Sequence, residues 1–261
     1  MEIPNKKLRK QIVELIHKGG SPHIGSALSM VEMISAVFSS MDIEKIKHRA
    51  PDRDRFIQSK GHGVAALYAV MARHGLISPE ALATFHSNGS LLAGHASHFV
   101  PFIEHSTGAL GHGLSVALGA ALGLRSIECQ GRVFVLLGDG ELHEGSNWEA
   151  IMLAGHLGME NLTALVDNNG LDQMGKLNAC CGIEPLVEKF KSFGWNAVRL
   201  NGHDETAISK TISDNKRRGK PLAIICNTVK GKGVSFMEGE AVWHYRTPRD
   251  ADYETALTEL S

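Results

Sequence analysis

No sign of charge predominates in this chain. Lys and Arg number 27 against 28 Asp and Glu, a formal net charge of −1, so nothing recommends nucleic acid or an anionic membrane surface as a partner. Cysteine is sparse. The four residues, Cys129, Cys180, Cys181 and Cys226, form no C-x-x-C pair, and adjacent cysteines rarely bridge. Zinc and a disulfide framework are therefore set aside; small buried thiols in a reducing compartment are the expectation. No stretch approaches the ~20 apolar residues of a membrane span. Ala109 to Leu124 comes nearest, and His112 and several small residues interrupt it. The start, Met-Glu-Ile-Pro-Asn-Lys-Lys, has no apolar run after its charges and does not read as a signal peptide. A cytoplasmic location is the default expectation. Repeats, low-complexity tracts and linkers are also missing, so residues 1–261 read as one domain.

What is present is an ordinary globular balance, 43% hydrophobic and 21% charged, with enough chain to bury a core of real size. Glycine is in excess, 28 of 261 or about 11% against roughly 7% in average usage. Many glycines stand beside His, Asp or Asn, which reads as backbone brought close to a ligand. Residues 6–19 carry Leu8, Ile12, Val13, Leu15 and Ile16 on a helical stripe, and 29–40 and 64–75 also read as helices. A Gly-Gly-Ser-Pro-His-Ile-Gly break covers 19–25. Residues 86–108 show no period, and so long a loop inside a compact domain is usually functional. A small-residue helix follows at 110–126.

The second half alternates. Val133 to Leu137 is a continuous apolar run typical of a strand buried on both faces, and further strands are expected at Leu162 to Val166, near 196–200 and at 222–226. Helices are expected near 146–157, 184–193 and 204–217, the first with Ser146 and Glu149 as a capping box. Strands alternating with helices predict an α/β fold, an open, mostly parallel sheet with helices on both faces.

The chemistry gathers at strand ends. Gly138-Asp139-Gly140 follows one buried strand, and after 27 intervening residues Asn168-Asn169 follows the next. Ligands of open parallel sheets bind at the carboxyl ends of strands, so Asp139 and Asn169 should meet there. A carboxylate and an amide oxygen are hard donors suited to magnesium, which fills its shell with phosphate oxygens and water. Gly138 and Gly140 allow a phosphate to approach the backbone, and Gly170 lets the chain turn so that the Leu171 carbonyl can join as a third donor. Asp-Gly or Asn-Gly alone after a strand is more often a plain turn. The two together, both at strand ends, favour a cradle for a magnesium diphosphate.

These residues resemble the thiamine-diphosphate signature, and the chain as a whole resembles the N-terminal, pyrophosphate-binding domain of transketolases. The likeness runs through His23-Ile24-Gly25-Ser26-Ala27-Leu28-Ser29, Ser59-Lys60-Gly61-His62-Gly63, Gly94-His95 and Ser106 to Gly113. It continues through Gly138-Asp139-Gly140-Glu141-Leu142-His143-Glu144-Gly145, Lys230-Gly231-Lys232-Gly233 and Trp243-His244. The resemblance implies thiamine diphosphate and Mg2+ as cofactors, with Asp139, Asn169 and the Leu171 carbonyl as metal ligands. It implies cofactor contacts at Gly138, Gly140, Gly108, Ala109, Leu110, Asn169, His62 and His244. His23, His95 and His244 correspond to histidines that line the substrate channel, and histidine suits proton transfer near neutral pH. Glu144 corresponds to a glutamate at the subunit interface that connects paired active sites. His74, His86, His156 and His203 are left as structural or exposed. Three positions depart from the pattern. Ile24 stands where many relatives have proline, His112 where they often have glutamine, and a shortened 95–108 loop lets His98 compete with His95.

A whole transketolase also has a pyrimidine-binding domain, bearing the glutamate that activates the cofactor, and a C-terminal domain. The resemblance therefore implies one subunit of a split enzyme, an α2β2 heterotetramer with a second chain, moving a two-carbon ketol unit between sugar phosphates. The competing enzyme reading is a dehydrogenase-type or carrier-loading thiamine subunit that passes a two-carbon unit to a lipoyl or carrier-protein thiol. A non-catalytic cofactor-binding subunit is the third, and the intact Asp139 and Asn169 pair argues against it.

Overall fold

In the computed structural model, which describes residues 5–179, 181–215 and 219–261, the chain runs α1 (Lys6–Gly19), α2 (Ile24–Ser29), α3 (Val31–Ser40), α4 (Ile43–Lys47), β1 (Arg55–Gln58), α5 (Val64–Arg73) and α6 (Pro79–Leu82). It continues as α7 (Gly113–Ser126), β2 (Val133–Gly138), α8 (Gly145–His156), β3 (Leu162–Asn168), α9 (Leu186–Ser192), β4 (Asn196–Asn201), α10 (Glu205–Asp214), β5 (Leu222–Asn227) and α11 (Asp250–Glu259). Cys180 lies outside the described residues. The remaining cysteines are unbridged, Cys226 buried and Cys181 exposed. No helix among the described residues is long and apolar enough to cross a membrane.

All five strands are parallel, in the order β1-β2-β3-β5-β4. The all-apolar run of β2 is buried along its whole length. Its side chains split by the two-residue period of a strand. Phe134 and Leu136 join Leu165 and Ile224 in a core built with α1, α3 and α5. Val133, Val135 and Leu137 join Ala164, Val166 and Ile225 under α7, α8 and α9. β4 is an edge strand, and Val198 and Arg199 on it remain exposed.

Two expectations are corrected. The capping box at α8 does not form. Glu144 occupies the N-cap without a side-chain cap, because the Ser146 hydroxyl instead donates to the Gly111 carbonyl at 2.7 Å. The small-residue helix begins at Gly113, three residues later than 110, because Gly111 takes φ +88° and cannot enter it.

A buried ionic tie joins the first helix to the last part of the chain. Arg9 on α1 donates to both oxygens of Glu32 on α3 at 2.5 and 2.8 Å, and both side chains are fully buried. His203 Nδ1 meets the same carboxylate at 2.9 Å while its Nε2 accepts the Val229 N–H at 2.9 Å. Arg9 Nε also donates to the Lys232 carbonyl at 2.8 Å, so the turn after β5 is pinned from beneath.

Candidate active site

The carboxyl ends of β2 and β3 lie side by side, with Gly138 opposite Asp167. Asp139 leaves β2 into a tight turn over Gly140–His143, and its carboxylate stitches the two strand-end loops together. It accepts the Gly140 N–H at 2.8 Å and the Gly170 N–H at 2.6 Å. The side chain of Asn169 turns back on its own loop, its oxygen accepting the Leu171 N–H at 3.1 Å. The backbone at Gly140 runs close to the neighbouring loop, where a Cβ would come 3.2 Å from Cβ of Asp172.

Asp139 is buried and has no ion-pair partner among the described residues. Burial, then the nearby charge of Asp167, pushes its carboxyl up to about 6. Asp167 differs, because its negative charge is matched by the buried ammonium of Lys60. It also accepts hydrogen bonds from the hydroxyls of Ser29, at 2.5 Å, and Thr228. Burial alone would raise Asp167, but Lys60 and the hydroxyls outweigh it and hold the group below its ordinary value. The polar hole at the strand ends thus contains one neutralised carboxylate and one that lacks a cation.

A third acid holds the wall. Glu141 is buried and accepts the Gly138 N–H at 3.0 Å, the Gly111 N–H at 2.9 Å and the Ser59 hydroxyl. Three loops that are remote in sequence therefore share one carboxylate. Burial pushes this group above its ordinary value.

Above the strand ends stands a group of imidazoles. The ring of His23 lies 5.1 Å from His62, 5.1 Å from His244 and 5.7 Å from His95, and His62 lies 5.2 Å from His244. His23 takes a left-handed backbone, φ +72°, with its N–H on the His244 carbonyl at 3.0 Å. Its Nδ1 is buried without a hydrogen-bond partner. Burial and the neighbouring His95 hold His23 down to about 4; burial and Lys230 hold His244 down to about 3. His62 is likewise driven well below the ordinary histidine range, by burial and then Lys60. All three are neutral at physiological pH. Lys230 Nζ donates to His244 Nδ1 at 2.9 Å and to the carbonyls of Leu171 and Asp172 at 3.3 and 3.2 Å. An ammonium can only donate, so the His244 proton resides on Nε2.

These groups line one cleft of about 490 Å³. It brings together His23, His62, His95, Gly108, Leu110, Gly138, Asp139, Gly140, Glu144, Asn169, Leu171 and His244. Ala109 is placed differently. It faces a neighbouring hollow with His105, Ser106, Thr107 and His112. His98 also stays outside, held by Ser106 at 2.7 Å and packed on Phe99. Sequence reasoning gave no role to Ser26, Lys60, Glu141, Asp172, Gln173, Lys230 or Tyr245, which line the same cleft. Lys60, Glu141 and Lys230 carried a legible signal, a charge set inside a glycine-rich motif, but nothing in sequence showed their partners. A larger cavity of about 600 Å³, lined mainly by 76–92, holds no such convergence of polar groups.

The chain matches the family model described as transketolase, thiamine diphosphate binding domain, over residues 5–259. It is 40% identical to an apulose-4-phosphate transketolase subunit of Phocaeicola vulgatus, covering 100% of this chain and 94% of that protein. It is 37% identical to the 6-deoxy-6-sulfo-D-fructose transketolase subunit of a Clostridium species, covering 97% of this chain and 93% of the relative. Among solved structures, the sedoheptulose-7-phosphate complex of a Pichia stipitis transketolase superposes with a TM-score of 0.89 at 30% identity. That match takes in 98% of this chain but 40% of the solved one.

Proposed function

Since the chain belongs to the transketolase thiamine-diphosphate-binding family, we propose that it is one subunit of a split transketolase, moving a two-carbon ketol unit between sugar phosphates. The observation that carries this reading is the buried, cation-less Asp139 beside Asn169 at the strand ends, beneath a ring of neutral histidines. The cofactor is thiamine diphosphate, and its companion ion is Mg2+. The donor set fits a hard divalent ion, with the Asp139 carboxylate, the Asn169 amide oxygen and the Leu171 carbonyl as oxygen donors of the chain. The Asn169 and Leu171 oxygens each have a lone pair left beyond the internal hydrogen bond they accept. An ion there would supply the charge that Asp139 lacks.

Thiamine diphosphate, when bound, supplies the nucleophilic carbon and the electron sink. The chain supplies placement and protons. Gly138 and Gly140 would offer close backbone approach to the diphosphate, and Lys60, His62, Gly108 and Leu110, which line the same cleft, would help to hold it. His23, His95 and His244 serve the substrate hydroxyls. As neutral imidazoles they can take a proton or give one, and the Lys230 contact presents His244 as an Nε2–H donor. Glu144, an exposed residue of the cleft lining, takes the contact with a second copy in this reading.

Relatives that are themselves named as single subunits of a transketolase imply a second chain. That partner would bring the pyrimidine-binding domain and its activating glutamate, and two copies of each would form an α2β2 assembly. The direct test is calorimetry of the chain with thiamine diphosphate, with and without Mg2+, followed by a ketol-transfer assay with the partner added. Magnesium-dependent binding and partner-dependent transfer are expected; cofactor binding indifferent to Mg2+ would overturn the metal assignment.

A further inference from the structure

The rim of the cleft carries a side chain with no task so far. Tyr245 follows His244 directly and is 64% exposed, yet it is held at three points. Its ring lies 5.1 Å from His23 and 5.0 Å from His244, tilted by 54° and 55°. Its hydroxyl meets Gln173 Oε1 at 3.1 Å. Holding an exposed tyrosine still costs side-chain entropy, and three contacts offset that cost. The tether also joins two separate segments. Gln173 belongs to the turn after β3, whose ends are drawn together by the Leu171–Lys176 bridge, and Tyr245 closes the tight turn over Ala241–His244. Both residues line the cleft, so the pair forms a bar beside the two imidazoles.

The chemistry of this bar suits a polyhydroxylated chain. The phenol donates to Gln173, so its oxygen still has lone pairs, and the Gln173 amide nitrogen still has two hydrogens. One acceptor and two donors stand next to a rigid aromatic face. Resting on the ketol-transfer reading above, we propose that Tyr245, tethered by Gln173, is a specificity-determining residue that limits the length of sugar chain the cleft admits beside His23 and His244. The ring is a wall that shorter acceptors clear and longer ones meet.

The test compares a three-carbon and a five-carbon aldose phosphate as acceptors, with one fixed ketose phosphate donor. It uses the chain assembled with its partner, as wild type, Tyr245→Gly and Tyr245→Phe. In Tyr245→Gly, kcat/KM for the five-carbon acceptor should rise ~10-fold or more relative to the three-carbon one, the scale at which a pocket reads a carbon or two. Tyr245→Phe retains the wall and loses the tether and the acceptor oxygen, so its ratio should shift less. Thiamine diphosphate affinity, measured by calorimetry on each variant, should be unchanged. A ratio in Tyr245→Gly within ~2-fold of wild type overturns the inference. So does an equal loss for both acceptors accompanied by weaker cofactor binding, which would make Tyr245 a support of the cofactor site. A wild-type assembly without ketol transfer would instead overturn the functional reading on which the inference rests.

Discussion

Asp139 concentrates the demands made on the site at the scale of single residues. Asp139→Ala should abolish magnesium-dependent binding of thiamine diphosphate, and Asn169→Ala should weaken it strongly; titration calorimetry of both variants checks this. The same carboxyl sets a pH dependence. Its value is raised to about 6, so it is ionised above that pH and protonated below it. A metal ligand must be deprotonated, and cofactor affinity should therefore be full near pH 7.5 and fall by about tenfold per unit as pH drops below 6. His244→Ala should lower turnover by ~10²–10⁴-fold, the range of a proton-transfer group, with the fold intact by circular dichroism. The meeting of Asp139 and Asn169 was legible because the carboxyl ends of neighbouring parallel strands lie together whatever else the chain does. The charge balance around them was not. Lys60 finds Asp167 across 107 residues, and Glu141 finds Gly111 across 30. No local pattern records such pairings. His95 was separable from His98 only in three dimensions, by the Ser106 hydroxyl that holds His98 outside.

At the scale of elements, long periodic segments were readable and short ones were not. The boundaries of α1 follow directly from its apolar stripe, and β2, β3 and β5 were legible from their largely apolar runs, though each continues one or two residues further. β1 has four residues, Arg-Phe-Ile-Gln, too few to show a period; pairing with β2 makes it a strand. α2 starts inside the 19–25 stretch that reads as a break, taking in Ile24 and Gly25, and burial of all six of its residues overrides that composition. Glycines within helices separate into two kinds. A Cβ at Gly155 on α8 would overlap the Phe193 carbonyl, so Gly155→Ala should cost ~1–3 kcal/mol, read as a lower Tm. Gly119 and Gly123 on α7 have open space beyond them. Alanine at each should stabilise the isolated chain by about 0.4–1 kcal/mol through the unfolded state. If this small-residue face packs against a second copy, the same methyl groups should weaken association, which sedimentation of the assembled enzyme would register as a larger Kd.

Over the whole molecule, the expected unit of activity is larger than this chain. Isolated protein saturated with thiamine diphosphate and Mg2+ should show no ketol transfer, and activity should appear on titration with the partner and saturate near one to one. Full activity from the chain alone would refute the split enzyme. The Arg9–Glu32–His203 tie bears on when the chain becomes competent. Arg9 is separated from Glu32 by 23 residues, His203 from Glu32 by 171, and Arg9 from Lys232 by 223. The turn that presents Lys230 to the cleft cannot be pinned until all of that chain is available, and contacts of such span close slowly. During synthesis the strands β1 to β3 leave the ribosome long before the turn that completes the cleft. Cofactor-binding competence should accordingly be among the last properties gained on refolding, arriving after the bulk of the helical signal and in step with the burial of Glu32.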